Sequence, residues 1–159
     1  MSSKVSVFVA TSLDGFIARP DGSIDWLEQA NALMPEGEDC GYGAFLNEED
    51  LLVMGRHSFE TVLGFSEWPY GDKPVIVLSS QPLTIPIELS HAVFSSSETP
   101  QQLVERLTEE GAERVYIEGG ITIQRFLAAG LVDDMTITLI PILLGQGIPL
   151  CGPLPEDIR

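Results

Sequence analysis

The chain has 159 residues, a length that fits one domain and allows a buried core. Hydrophobic residues make up 44% of it and charged residues 20%, which is the balance of a globular chain and not of a disordered one. Eight Lys and Arg stand against 24 Asp and Glu, a formal net charge of −16. With no basic run anywhere, nucleic acid and anionic membranes are excluded as expected partners.

The N-terminus has no basic segment followed by an apolar core, so we expect no signal peptide and a cytoplasmic protein. The longest apolar stretch, MTITLIPILLG, is too short to span a bilayer. Cys40 and Cys151 lack the spacing of metal ligands, which predicts free thiols and no metal site.

Apolar runs alternate along the chain with amphipathic segments. In chain order the predicted elements are strand 4–10, helix 28–35, acidic loop 36–43, strand 51–55, helix 56–64, strands 75–80 and 91–96, helix 99–111, strand 114–120, helix 121–130 and strand 133–145. The clearest helix has Thr99 as its N-cap, Pro100 at its first position and Gly111 at its end. Strands separated by helices predict an α/β domain whose largely parallel sheet is covered on both faces.

Three strands of this predicted sheet are followed by small, hydroxyl-bearing or cationic residues. The segments are MGRHS, LSSQ and EGGIT. Ligands of open α/β sheets bind outside the carboxyl ends of the strands. Three such segments at one edge predict a long, multiply charged ligand such as a dinucleotide.

The glycine pair Gly119–Gly120 stands between a strand and a helix. One interpretation is an anion site, because free N–H groups point out of the sheet where the helix begins. The other is a tight turn that needs backbone angles open to glycine, and the pair taken alone favours the turn. The sequence has neither G-x-G-x-x-G after the first strand nor a phosphate-binding Gly-Lys-Ser/Thr loop.

The segments SLDGFIA, LLVMGRHSFETV, VIVLSSQP and the run from residue 115 to residue 150 occur in order over nearly the whole chain. Together they resemble the dihydrofolate-reductase-like family, above all the reductase domain of bacterial riboflavin-biosynthesis deaminase–reductases and their stand-alone relatives. The resemblance implies one domain over residues 1–159. Its fold would be a three-layer αβα fold with a central mixed, largely parallel sheet.

The resemblance also implies NADPH binding. The cofactor-binding residues expected from it are Ala10, Ile17 and Ala18 beside the nicotinamide, Gly55, Arg56, His57 and Ser58 at the phosphates, Leu78, Ser79, Ser80 and Gln81 at the adenosine end, and Glu118, Gly119, Gly120, Ile121 and Thr122 beneath the pyrophosphate. In the family the Gly–Gly peptide is commonly cis, so we expect a cis bond here. Arg56 has a simpler alternative, an i,i+4 surface pair with Glu60.

The substrate end is less well defined. Asp14, Asp25 and Trp26 match the riboflavin-type pattern and are the expected catalytic residues, although Asp14 could equally close an Asx-turn. The carboxylate that folate enzymes carry after the loop tryptophan has only Glu28 as a counterpart. Arg19 is the one cation in this loop for a substrate phosphate.

Two classes of function follow. The first is a reductase that transfers hydride from NADPH to a small heterocycle, pyrimidine ribosylamine- or pterin-like, in riboflavin biosynthesis. The second is a pyridine-nucleotide-binding module without turnover. Family members usually continue into a closing strand pair that this sequence does not show, which predicts an exposed sheet edge covered in a homodimer.

Overall fold

The computed structural model describes residues 2–159 as a parallel sheet with helices on both faces. The strands are β1 Lys4–Ser12, β2 Phe16–Ala18, β3 Leu51–Gly55, β4 Val75–Leu78, β5 Val93–Ser96, β6 Arg114–Glu118, β7 Asp134–Ile140 and β8 Ile148–Pro149. The helices are α1 Asp25–Ala32, α2 Tyr42–Glu48, α3 Arg56–Leu63, α4 Pro100–Glu109 and α5 Gly120–Ala128, with a 3-10 turn at Ile87–Leu89.

Six strands form the main sheet in the order β5-β4-β3-β6-β1-β7, and every neighbouring pair is parallel. The expected α/β architecture is confirmed. The antiparallel component is a separate two-stranded ribbon of β2 and β8. β7 forms one edge of the sheet, and its side chains Ile137 and Leu139 are 44% and 61% exposed. The homodimer expected at such an edge stays a prediction.

The strands are apolar on both sides because each face packs against helices. On one face, Val115 and Ile117 of β6 belong to the cluster formed with α4 and α5. On the other face, Tyr116 belongs to the cluster formed with α3, against which α2 packs. The alternation along β6 therefore assigns each of its residues to one face of the sheet.

Local signals explain most element ends. Thr99 accepts a hydrogen bond from the Gln102 backbone N–H, and the Gln102 side chain accepts one from the Thr99 N–H, a capping box that begins α4 where predicted. β7 ends at Ile140 because Pro141 cannot donate to a ladder. The acidic loop predicted at residues 36–43 ends earlier than expected, since α2 begins at Tyr42.

Across residues 2–159, every helix is too short or too polar to cross a lipid bilayer. In the same range, the His, Cys, Asp and Glu side chains form no group of three that could hold a metal ion.

Candidate functional site

The three segments singled out in the sequence lie side by side. They follow β4, β3 and β6, which are adjacent in the sheet, and parallel pairing brings Gly55 opposite Leu78 and Met54 opposite Glu118. The carboxyl ends of these strands therefore form one continuous rim. The placement predicted from the sequence is confirmed.

Two helices begin at this rim without a side chain to cap them. The N-cap of α3 is Gly55 and that of α5 is Gly119, and neither helix start receives a side-chain hydrogen bond. The first N–H groups of a helix have no partner inside the helix, and the helix dipole adds a partial positive charge there. These two adjacent helix starts can hold an anion in a protein whose overall charge is strongly negative.

The two helix starts approach each other closely at their glycines. A Cβ atom on Gly119 would collide with Ser58 Oγ, and one on Gly55 would lie 2.7 Å from Thr122 Oγ1. Gly119 has φ 97° and ψ 136°, a conformation that side chains other than glycine resist. This conformation supports the tight-turn interpretation of the glycine pair, and the anion site stays a prediction.

The expected cis bond between Gly119 and Gly120 is wrong. No peptide bond within residues 2–159 is cis. The positive φ of Gly119 turns the chain from β6 into α5 with a trans peptide, so the turn needs no isomerised bond.

Gly120 contacts the β2–β8 ribbon. A Cβ atom there would lie 2.7 Å from Ile17 Cδ1 and 3.0 Å from Ile148 Cγ2. Ile17 and Ile148 of the ribbon therefore pack against Gly120, and the ribbon carries Ile17 and Ala18, two of the residues expected beside the nicotinamide. Ala10, the third, lies near the carboxyl end of β1, opposite Thr138 of β7.

Arg56 spans the ends of β3 and β4. Its Nε donates to Glu60 Oε1 at 2.8 Å, and one of its terminal nitrogens donates to Gln81 Oε1 at 3.1 Å. The i,i+4 pair considered in the sequence is therefore present, and the Arg56 side chain is 39% exposed. Ser79 Oγ donates to the Gln81 carbonyl at 2.9 Å, which shapes the same loop.

The remaining cofactor candidates differ in accessibility. His57, Ser80 and Ile121 are exposed, whereas Leu78 and Thr122 are buried. Leu78 packs in the core cluster on the α4/α5 face, so its side chain supports the rim from below.

Asp14 connects two loops. Its carboxylate accepts hydrogen bonds from Ser12 Oγ at 2.5 Å and from the backbone N–H groups of Leu144 and Gly145 at 3.1 and 2.8 Å. The Ser12 hydroxyl and these N–H groups hold the pKa of Asp14 below its ordinary value. The carboxylate thus fixes the loop after β7 to the turn after β1, and its expected catalytic role stays a prediction.

Asp25 and Trp26 stand at the start of α1. Arg19 donates two hydrogen bonds to the Asp25 carboxylate, from Nε to Oδ1 at 2.6 Å and from a terminal nitrogen to Oδ2 at 3.2 Å. These bonds from the guanidinium lower the pKa of Asp25. Arg19, the candidate partner of a substrate phosphate, is therefore already engaged. Trp26 is 1% exposed, and its indole N–H has no hydrogen-bond partner within the described residues.

A tyrosine cluster around Glu118 escaped the sequence interpretation. Tyr70 Oη donates to Glu118 Oε2 at 2.7 Å, and burial raises the pKa of the Glu118 carboxyl. Tyr42 and Tyr116 lie close enough that the carboxylate and burial raise their pKa values, that of Tyr42 to about 12. Of the three tyrosines, only Tyr116 could have been placed near Glu118 from the sequence, because residues two apart on a strand lie on the same face of the sheet.

Comparisons with known proteins agree with this architecture. The family model for the RibD C-terminal domain matches residues 3–157. The uncharacterised protein YwjB of Bacillus subtilis strain 168 is 35% identical over 162 residues, which cover 100% of this chain and 88% of YwjB.

Two crystal structures extend the comparison. A protein from Shewanella sp. PV-4, described as a candidate riboflavin biosynthesis protein, superposes with a TM-score of 0.90 at 41% identity and covers 100% of this chain and 88% of its own. The Thermotoga maritima diaminohydroxyphosphoribosylaminopyrimidine deaminase/5-amino-6-(5-phosphoribosylamino)uracil reductase matches with a TM-score of 0.68 at 16% identity, over 99% of this chain and 50% of that one. The second likeness shows the fold alone.

Proposed function

The chain belongs to the RibD C-terminal domain family, and on that premise we propose that it is a reductase that transfers hydride from NADPH to a small heterocycle. The substrate class is a pyrimidine ribosylamine or a pterin-like ring. The observation that carries the proposal is the pair of uncapped helix starts at Gly55 and Gly119, which follow adjacent strands at the rim.

The site residues fit a dinucleotide. Adjacent N–H groups at the starts of α3 and α5 suit a pyrophosphate, since both helix dipoles favour negative charge there. Arg56, with Ser79 and Ser80 on the neighbouring loop, would hold the 2′-phosphate that distinguishes NADPH from NADH. A guanidinium matches phosphate oxygens in two directions and stays charged at any working pH.

The chain's own task at the reacting end is alignment. When bound, NADPH supplies the hydride. Ala10, Ile17 and Ala18 would confine the nicotinamide ring between the end of β1 and the β2–β8 ribbon. Holding the ring against an electrophilic carbon of the substrate removes most of the orientational cost of the reaction.

Asp14 and Asp25 would act from the loops beside this pocket. Both have lowered pKa values, so both are ionised at neutral pH and suit the binding or orientation of a donor better than the donation of a proton. Trp26, next to Asp25, is 1% exposed and would support this loop from within.

Loss of reduced-nicotinamide absorbance tests the proposal. NADPH should be oxidised in the presence of 5-amino-6-(5-phosphoribosylamino)uracil or of one member of a panel of pterins, and Asp14→Asn and Asp25→Asn should slow turnover while they retain NADPH binding. NADPH binding without oxidation by any substrate would leave a binding module. Turnover unchanged in both variants would remove the catalytic roles of the two acids.

A further inference from the structure

Glu49 is a buried glutamate at the end of the sheet opposite the rim. It directly follows the last residue of α2 and stands two residues before the start of β3, so it joins the helix to the strand. Its side chain is 0% exposed. Because a glutamate is almost never buried completely unless it is paired, the partners of this carboxyl group decide what it does.

The partners of the Glu49 carboxyl group are too few to satisfy a negative charge. Arg114 Nε is 3.4 Å from Oε1, which is longer than an ordinary hydrogen bond, and Oε2 has no hydrogen-bond partner within residues 2–159. A terminal nitrogen of Arg114 lies 3.6 Å from Glu48 Oε2, so two carboxylates share one guanidinium. Lys73 Nζ donates to the backbone carbonyl of Glu49.

The other charged groups around Glu49 carry negative charge or are paired with each other. Asp134 Oδ2 of β7 is 3.1 Å from Lys4 Nζ of β1, and Asp50 Oδ2 accepts two backbone hydrogen bonds at the start of β6. Burial is the largest cause that raises the pKa of Glu49, Asp134 and Asp50 add to the rise, and Arg114 opposes it. The folded protein therefore favours the neutral form of this carboxyl group.

Helix α2 is held weakly, so a small change in free energy can move it. It has seven residues, none of them buried, and its N-cap Gly41 offers no side-chain hydrogen bond. The rings of Tyr42 and Phe45 attach it to the sheet, with centroids 5.4 and 5.0 Å from that of Phe8. Short elements with few buried contacts open locally at low cost.

We propose that Glu49 is a pH-sensitive latch for α2. In its neutral form Glu49 holds the last turn of α2 against the sheet, and loss of its proton to solvent loosens that turn. Tyr42 stands at the other end of α2 and lies near Glu118 at the rim. The latch thus links the pH at one end of the sheet to the packing at the other, and it does not depend on the proposed function.

The sign of the pH dependence follows from the raised pKa. With α2 packed on the sheet, Glu49 binds its proton more tightly than in an open or unfolded chain, where the ordinary pKa is 4.5. The packing of α2 is therefore strongest below pH 4.5 and weakens as the pH rises through the raised pKa. The opening equilibrium of α2 changes about tenfold for each unit between the two pKa values.

Amide hydrogen exchange followed by NMR from about pH 5 to about pH 8 tests the latch. Protection factors correct for the intrinsic exchange rate at each pH, and α4 serves as the internal reference. In the wild type, the protection of α2 relative to α4 should fall about threefold or more across this range. In Glu49→Gln, which keeps the shape of the side chain and removes its charge, the ratio should stay constant.

Glu113→Gln is the matched control, because Glu113 is an exposed glutamate just before β6 at the same end of the sheet. It should show the same fall as the wild type. A constant ratio in the wild type, an unchanged fall in Glu49→Gln, or loss of the fall in Glu113→Gln would overturn the proposal.

Two measurements on the wild type alone keep the test independent of any variant. The carboxyl carbon resonance of Glu49 should titrate with the midpoint of the exchange change. Burial raises the pKa of Tyr42 to about 12, so the Tyr42 ring does not titrate in this range, and its ring-current shifts from Phe8 should shrink with the same midpoint. A Glu49 that titrates at the ordinary 4.5, or a Tyr42 ring that does not respond, would contradict the latch.

Discussion

The two ends of the parallel strands differ in how their polar backbone groups are satisfied. We call the amino ends of the strands the amino edge of the sheet, and the carboxyl ends, which form the rim described above, the carboxyl edge. At the amino edge, the chain satisfies its own donors: Asp50 Oδ2 accepts from the N–H groups of Glu113 and Arg114 at 2.8 and 2.9 Å, and Asp133 Oδ2 accepts from Val5 N–H at 2.7 Å. At the carboxyl edge, Gly55 and Gly119 leave the starts of α3 and α5 uncapped.

Under the proposed function, the amino edge contributes to stability and the carboxyl edge binds the ligand. Carboxylates at the amino edge thus satisfy the backbone N–H groups of Val5, Glu113 and Arg114. Gly55 and Gly119 at the carboxyl edge have no side chain that could cap a helix, although such a cap stabilises a helix by about 1 kcal/mol. The first N–H groups of α3 and α5 are therefore free to bind an anion. Changes at the two edges should therefore have different consequences.

The largest expected effect is that of Gly119→Ala. The substitution forces a side chain into a strained conformation, at about 1–3 kcal/mol, and into contact with Ser58, at about 1–3 kcal/mol more. The free energy of unfolding should fall by about 2–6 kcal/mol in a denaturant titration. Gly111→Ala is the control, because Gly111 has φ 91° but no atom within 4 Å of an added Cβ. Equal losses in the two variants would show that the close approach to Ser58 is unimportant.

Arg56→Ala should come next and should affect binding. Hydrogen bonds to charged groups contribute about 1.5–3 kcal/mol, so NADPH should bind roughly ten- to a hundredfold more weakly while NADH is nearly unaffected. Loss of the exposed Glu60 pair should hardly change stability. Titrating the wild type and Arg56→Ala with NADPH and with NADH tests this prediction. Arg125→Ala, at an exposed position, is the charge-matched control. Equal losses for the two nucleotides, or none, would remove Arg56 from the 2′-phosphate site.

Asp50→Asn should have the smallest effect and should leave nucleotide binding unchanged. The N–H groups of Arg114 and Glu113 lower the pKa of Asp50 below 3.8, so the folded state binds fewer protons than the unfolded state. This contribution is present above the ordinary pKa and disappears as the pH falls through the lowered one. The variant should lose less than about 1 kcal/mol at neutral pH and converge with the wild type in acid. A loss that grows in acid, or weaker NADPH binding, would contradict the division between the edges.

The sequence predicted the sheet and its rim because their signals are local. Short apolar runs such as LLVMG and RVYIE, rich in residues that favour strands and followed by glycine, are typical of buried strands, and parallel pairing then places the residues after them at one edge. The Thr99 N-cap followed by Pro100 was equally visible, because the two residues are adjacent in the sequence.

The parts that escaped prediction depend on distant contacts. Helix α2 is a seven-residue segment within an acidic, glycine-rich stretch, and it forms because Phe45 packs against Phe8 and Tyr116. Tyr70 lies 48 residues from Glu118 in a loop without periodicity. The cis bond expected at Gly119 was borrowed from the family, and nothing in the local sequence distinguishes it from a trans bond with positive φ.

The position of β1 has a consequence for synthesis on the ribosome. β1 lies between β6 and β7, so its register partners begin at Arg114 and Asp134, more than 100 residues further along the chain. At translation speeds of about 5–20 residues per second, the apolar segment VSVFVA waits roughly 6 to 26 s for both neighbours. During that interval the nascent chain presents an unpaired strand, which makes it a candidate client for a ribosome-associated chaperone. Growth at low temperature slows translation, lengthens this interval and should therefore change the yield of folded protein.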